Sequence, residues 1–435
     1  MTQPVNLPAP DPSSGSHGPG PVPPAGLPGA GGPSPAAYPP AQLIARRSRR
    51  SHAWGVALLV ATSAVGALVT LFLVDALGTE TLFVVGLLAL VPLAIVVAAL
   101  LWIDRWDPEP RGWLVFAFLW GAGVSVFGTL SLGEVFMETF GGLSSLDSET
   151  FGAVVQAPVI EETMKGAGLV VIFLAARRHF DGPVDGVVYA GMVAAGFAFT
   201  ENILYFGTAY TEAGWGTELA FTFVLRGLFS PFAHVLFTVW IGFFLGVAAH
   251  RRATRGRLSR VSWIGWFLVG LVPAMVGHFL WNGGLALIFD DFFTFYLVLQ
   301  VPLFIAAVAA VVLLLRAERR LTQGMLDRYG VAGWLWPEEI ALFGTAPGRR
   351  QGRRWASGHG VRNQHRAFER TALRLAALRH RIERGHDVQA NSAEELRLLQ
   401  DTVRQRRELF GAIRPGGPVS PAGSASAAGS GRAGR

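Results

Sequence analysis

Between Ser51 and Leu315 the chain is a succession of long apolar runs separated by short polar connections. The runs fall roughly at Trp54 to Leu77, Leu82 to Ile103, Trp113 to Leu132, Phe151 to Ala176, Val184 to Phe206, Leu219 to Ala249, Val261 to Phe289 and Phe293 to Leu315. Each is about 20 residues or longer, enough for an α-helix to cross a bilayer. The pattern predicts an all-α, polytopic transmembrane bundle of about eight spans, with residues 51–320 as its membrane domain.

Outside that body the pattern changes. Residues 1–50 are rich in Pro, Gly, Ser and Ala and end in Arg46, Arg47, Arg49 and Arg50. Such a composition buries too little apolar surface to fold, so a disordered tail is expected. The first run follows those arginines and reads as a retained anchor rather than a cleaved leader. From 321 to 414 the chain turns soluble. There Arg362 to Phe410 sets Leu373, Leu378 and Ile382 among arginines, as in an amphipathic helical hairpin. That region would serve either as a solvated cap or as a surface for lipid headgroups or a partner. Residues 415–435 read as a second disordered tail.

Charge adds an orientation. Arginines mark every second connection: Arg105 and Arg111, Arg177 and Arg178, Arg251 to Arg260, and Arg316 to Arg320. The other connections carry only acids, such as Glu134, Asp147, Glu212 and Asp290. By the positive-inside rule both termini are expected in the cytoplasm of a multi-pass plasma-membrane protein. The sequence pI near 10.4 then reflects arginines beside lipid, not nucleic-acid binding. The chain has no cysteine, which excludes disulfides, thiolate metal sites and a cysteine nucleophile.

Ionisable residues within spans are costly and are functional candidates by default. The fourth run carries Glu161, Glu162 and Lys165, the fifth Glu201 with Asn202, the sixth Arg226 and His234, and the seventh His278 with Asn282. Lys165 is the one lysine in the chain. At about 1.5 Å per residue, Glu161, Glu201, His234 and His278 come to one band, roughly 8–20 Å below one surface. Helical spacing groups Glu161, Lys165 and Gly168 on one face, Ala190, Ala194, Ala198 and Asn202 on another, and His234, Thr238 and Gly242 on a third. Small residues there allow close helix approach. Glu161 with Lys165 also reads as a neutralised pair that eases insertion, a lone histidine as a packing residue, and Arg226 as a side chain that snorkels toward headgroups.

Two imidazoles and several carboxylates can hold zinc or another divalent metal and leave a place for water, with a glutamate as general base. Without metal, a buried glutamate can activate water itself, with His or Asn at the oxyanion. Neither an HExxH nor a GxSxG motif occurs, nor an intramembrane aspartate pair. The ordered set APVIEETMKG, GFAFTEN, FAHVLFTVWIGFFLG and GHFLWNG, with DRWDPEPR after the second run, resembles the PrsW family of intramembrane proteases, distant relatives of the CAAX-type prenyl endopeptidases. The resemblance runs from about Trp54 to Leu315. It implies Glu161 and Glu162 as catalytic acids, completed by Glu201, His234 and His278, with Lys165 beside them and Asn202 and Asn282 in support. It also implies a metal held through His234, His278 and Glu162. The role implied is regulated proteolysis of a membrane protein substrate, expected to be single-span, such as a membrane-anchored anti-sigma factor. A proton-coupled transporter and a non-enzymatic membrane scaffold are the competing readings. No second copy of EExxK appears, which speaks against the internal repeats common in transporters.

Overall fold

The computed structural model describes residues 41–105, 108–176, 179–255, 262–383 and 388–413. The expected tails therefore fall largely outside the described residues, as do Arg177, Arg178, residues 106–107 of the DRWDPEPR loop and residues 256–261. Among the described residues the chain is helical throughout, as the apolar pattern predicts.

The membrane body comprises α1 (Ala41–Leu77), α2 (Thr79–Ile103), α3 (Arg111–Leu143), α4 (Ala157–Ala175), α5 (Pro183–Ala213), α6 (Thr217–Arg251), α7 (Ser262–Gly283) and α8 (Phe292–Val331). Helix α1 begins ten residues ahead of the expected boundary at Ser51, inside the stretch read as tail. Seven of these helices are long and apolar enough to cross a membrane. The eighth expected span is α4, where Glu161, Glu162 and Lys165 interrupt the apolar length. Its neighbours supply the polar contacts that lipid cannot.

Local chemistry sets the helix starts. Asp147 accepts a bond from Thr150 N, and Asp291 one from Thr294 N, at the entries to the turns before α4 and in α8. These bonds hold both carboxyls below the usual carboxylate range. At α5, Pro183 occupies the first turn and Asp185 accepts bonds from Asp181 N and Gly182 N. The spans are not uniform. Single π-helical turns interrupt α3 at Trp120–Ser125, α6 at Val224–Phe229 and α8 at Tyr296–Gln300, and two more, Gly152–Gln156 and Gly284–Ile288, lead into α4 and follow α7. Helix α6 also breaks at residues 230–232, beside Pro231, and restarts at Ala233.

Helix α5 is the axis of the body, with 78% of its spanning window buried. It can be central because its neighbours approach backbone to backbone. A Cβ on Gly186 would lie 1.9 Å from the Gly242 carbonyl oxygen of α6, and one on Gly196 would lie 2.0 Å from the Phe118 oxygen of α3. Of the small residues expected from the sequence, Gly242 and Ala190 meet at the α5–α6 seam, whereas the α5–α3 approach at Gly196 lies on a face the spacing did not single out. Helix α8 is the opposite case, with 6% of its window buried, so its sides are left for lipid.

Helix α8 runs on beyond its apolar half into a C-terminal layer of α9 (Pro337–Gly344), α10 (Ala346–Gly358), α11 (Arg362–Glu383) and α12 (Val388–Gly411). The expected hairpin is α11 with α12. It packs on Leu326 and Tyr329 of α8 through Phe368, Leu375 and Leu399. Inside this core Tyr329 donates to Glu395 at 2.6 Å, and Arg406 clamps Glu339 at 2.5 and 2.6 Å. The layer docks on the arginine-marked end of the membrane body, where Arg381 meets Asp181 at 2.5 Å. A cavity of about 420 Å³ opens at this seam between Val247, Leu314, Leu373 and Ala376. It is separate from the polar residues singled out within the spans.

Candidate active site

One turn of α4 brings Glu161, Glu162 and Lys165 to the same side. Lys165 Nζ lies 2.6 Å from Glu162 Oε1 and 3.3 Å from Glu161 Oε2. The ammonium also touches the ring of His234, with Nδ1 at 3.2 Å, and faces the Phe197 ring at 4.2 Å. Glu162 and Lys165 are both 0% exposed. An ion pair so enclosed persists because every charge has partners.

Those partners come from three other helices. Thr238 of α6 donates to Glu162 Oε2 at 2.8 Å, and His278 of α7 donates from Nδ1 to Glu162 Oε1 at 3.1 Å. With Lys165, Glu162 is bound at both oxygens. Glu161 is held more loosely, with His278 Nε2 3.9 Å from its Oε2. The rings of His234 and His278 stand edge-on, 5.4 Å apart, and Phe237 stacks on His278.

Glu201 of α5 closes the other side. It accepts a bond from His234 Nε2 at 2.7 Å and pairs with Arg226. Arg226 in turn donates from Nε to Asn202 Oδ1 at 2.9 Å and lies over the Tyr205 ring. These contacts set the tautomers: His234 carries its proton on Nε2 and turns Nδ1 inward, and His278 carries its proton on Nδ1 and turns Nε2 toward Glu161.

The structure thus gathers Glu161, Glu162, Lys165, Glu201, His234 and His278 in one cluster, with Asn202 one contact further out. Asn282 stands apart: its side chain donates to the Ala153 oxygen at 2.7 Å and pins α7 to the turn before α4. Arg226 does not behave as the snorkelling residue expected. It points inward and neutralises Glu201. Its signal was a charge within a span with no opposite charge at helical spacing, which calls for a partner on another helix. Thr238, four residues after His234, reaches Glu162 from the face on which spacing had placed it.

Glu161, Glu162, His234 and His278 each offer a ligand atom, and these atoms lie within 4.8 Å of one another. Two imidazole nitrogens and two carboxylates suit a zinc-class ion. Glu201 would support His234 from behind, as carboxylates do for metal-bound histidines.

Fold and site together define a polytopic membrane protein with a buried cluster of metal-ligating and acid–base side chains. The profile of the PrsW family intramembrane metalloprotease matches residues 109–307. Protease PrsW of Bacillus subtilis is 33% identical over 174 residues, 40% of this chain and 70% of that protein. Protease PrsW of Geobacillus kaustophilus is 32% identical over 145 residues, 33% of this chain and 58% of that protein. Protease PrsW of Clostridioides difficile is 33% identical over 165 residues, 37% of this chain and 63% of that protein. The chain belongs to the PrsW family. No solved structure matches it.

Proposed function

We propose that the chain is an intramembrane endopeptidase that hydrolyses a peptide bond of a membrane-embedded protein at the cluster of α4, α5, α6 and α7. The observation that carries this reading is the convergence of Glu161, Glu162, His234 and His278 from three helices on one enclosed point. Polar groups serving only to join helices would be spread along the seams rather than gathered.

The difference in anchoring assigns the roles of the two glutamates. Glu162, bound by Lys165, Thr238 and His278, is the fixed anion that orients its neighbours. Glu161, with fewer bonds, takes the proton from water as its oxygen attacks the carbonyl carbon. It then delivers that proton to the departing amide nitrogen, which balances the hydrolysis. Lys165 is the donor within the cluster that would face an oxyanion, since the imidazole protons are taken by Glu201 and Glu162. A divalent metal, if bound by His234, His278 and Glu162, would supply Lewis acidity for the same water and leave Glu161 as the base. The alternation of arginine-marked and acidic connections supports cytoplasmic termini and a bundle in the plasma membrane. A single-span, membrane-anchored regulator such as an anti-sigma factor is the proposed substrate class.

The test is co-expression of the chain with tagged single-span proteins, scored for cleavage in the wild type and in Glu161→Gln. Cleavage that depends on Glu161 supports the reading. Cleavage that survives in the variant overturns the assignment of the base, and proton flux across vesicles without any cleavage would favour the transporter.

A further inference from the structure

The four ligand atoms of the cluster surround a position that is not vacant of charge. Lys165 Nζ hydrogen-bonds to Glu162 Oε1 at 2.6 Å, to Glu161 Oε2 at 3.3 Å and to His234 Nδ1 at 3.2 Å. These belong to three of the four residues that would ligate a metal. The ammonium therefore uses the lone pairs that a zinc-class ion would need at about 2.0–2.2 Å. A divalent ion placed among those donors would also stand within a few ångströms of a fixed positive charge in a largely buried region. Like charges so close repel strongly where solvent cannot screen them. The head group of Lys165 is surrounded by Glu162, Phe197 and His234, and each is a partner for charge.

We infer that the Lys165 ammonium is the resident cation of this site and competes with divalent metal for it, so that metal fills the cluster only when the lysine side chain swings out. This rests on the metal-binding part of the proposed function and goes beyond it by making occupancy a switch between two cations. In the lysine-filled state Glu162 and His234 are locked to Nζ. In the metal-filled state they are ligands, and the lysine must find new surroundings. Metal affinity in the wild-type chain is accordingly weak, and removal of the lysine charge strengthens it.

The absence of cysteine and of any second lysine makes this measurable without substrate. The full chain in detergent is titrated with Co²⁺, whose visible absorption reports tetrahedral ligation, for wild type, Lys165→Met and Lys165→Arg. Metal binding is expected to be at least tenfold tighter in Lys165→Met and to stay weak in Lys165→Arg, which keeps the charge. Equal affinity in wild type and Lys165→Met, or binding by neither, overturns the inference. In parallel, reductive methylation of the wild type with and without Zn²⁺ is read by mass spectrometry at Lys165, the one side-chain amine. Zinc is expected to speed its modification severalfold, because the amine leaves the enclosed cluster. Unchanged modification in protein shown to have bound zinc overturns the inference even if the methionine variant fails to fold. Neither readout involves proteolysis, so a failure of the protease reading leaves this result interpretable.

Discussion

At the scale of single residues, two glutamates adjacent in sequence have different surroundings. Glu162 is bonded at both oxygens, and Glu161 is not. Glu161→Gln is expected to lower the cleavage rate roughly 100- to 10,000-fold while the protein melts at nearly the wild-type temperature. Glu162→Ala leaves Lys165 short of its nearest counter-charge. It should cost about 3–5 kcal/mol as well as activity, seen as a lower melting temperature in detergent. Arg226 acts through Glu201 on His234. Arg226→Met is expected to reduce kcat about 10- to 100-fold with little change in KM, and Arg226→Lys to restore part of it. A KM rise with kcat unchanged would place Arg226 on the substrate instead. The sequence already exposed most of this set, because charge inside an apolar run is visible without any structure. What it could not supply is pairing between helices. Arg226 and Glu201 are 25 positions apart, and their ion pair depends on how α5 and α6 pack. Asn282 shows the converse: it shares a run with His278 and was expected to support the site, yet it bonds to backbone outside the cluster.

At the scale of elements, the site depends on how closely α5 and α6 approach. Gly186 and Gly242 meet backbone to backbone, and a methyl carbon on Gly186 would lie 1.9 Å from the opposing oxygen, far inside van der Waals contact. Gly186→Ala is therefore expected to separate the helices, shift His234 from Glu201, and cost about 1–3 kcal/mol with loss of cleavage. Gly265→Ala, with nothing within 4 Å of the new carbon, should leave melting temperature and cleavage unchanged. Six of the eight helix starts were legible to within three residues, since hydropathy records entry into lipid, but several ends were not: α3 runs on to Leu143 instead of Leu132 and α8 to Val331 instead of Leu315. Nor were the π-helical turns and the break at residues 230–232. Hydropathy is blind to hydrogen-bond phase, yet these irregularities aim Arg226 and His234. The charged helix α4 was found for the reason that separates it from the seven apolar spans: its three charges are unsuited to lipid and suited to a site.

At the scale of the whole molecule, the arginine-marked ends of the spans gather beneath the C-terminal layer, and the acidic connections lie at the other end. The absence of native cysteine allows the proposed orientation to be tested directly. Cysteine introduced at exposed Ser145 is expected to react with an impermeant maleimide on intact cells, and cysteine at exposed Ser357 only after permeabilisation. The reverse pattern would invert the topology. The C-terminal layer is helical, and its attachment was not visible in the sequence, because Arg381 and Asp181 are 200 positions apart.

Helix α8 joins these two regions without interruption from Val301 to Val331. Over about 45 Å it is one continuous rod, seated at its far end among the C-terminal helices and with little of its apolar half buried. A tilt imposed on the C-terminal helices would therefore be felt along the span where Val311 and Leu314 lie beside Val184 and Val187 of α5.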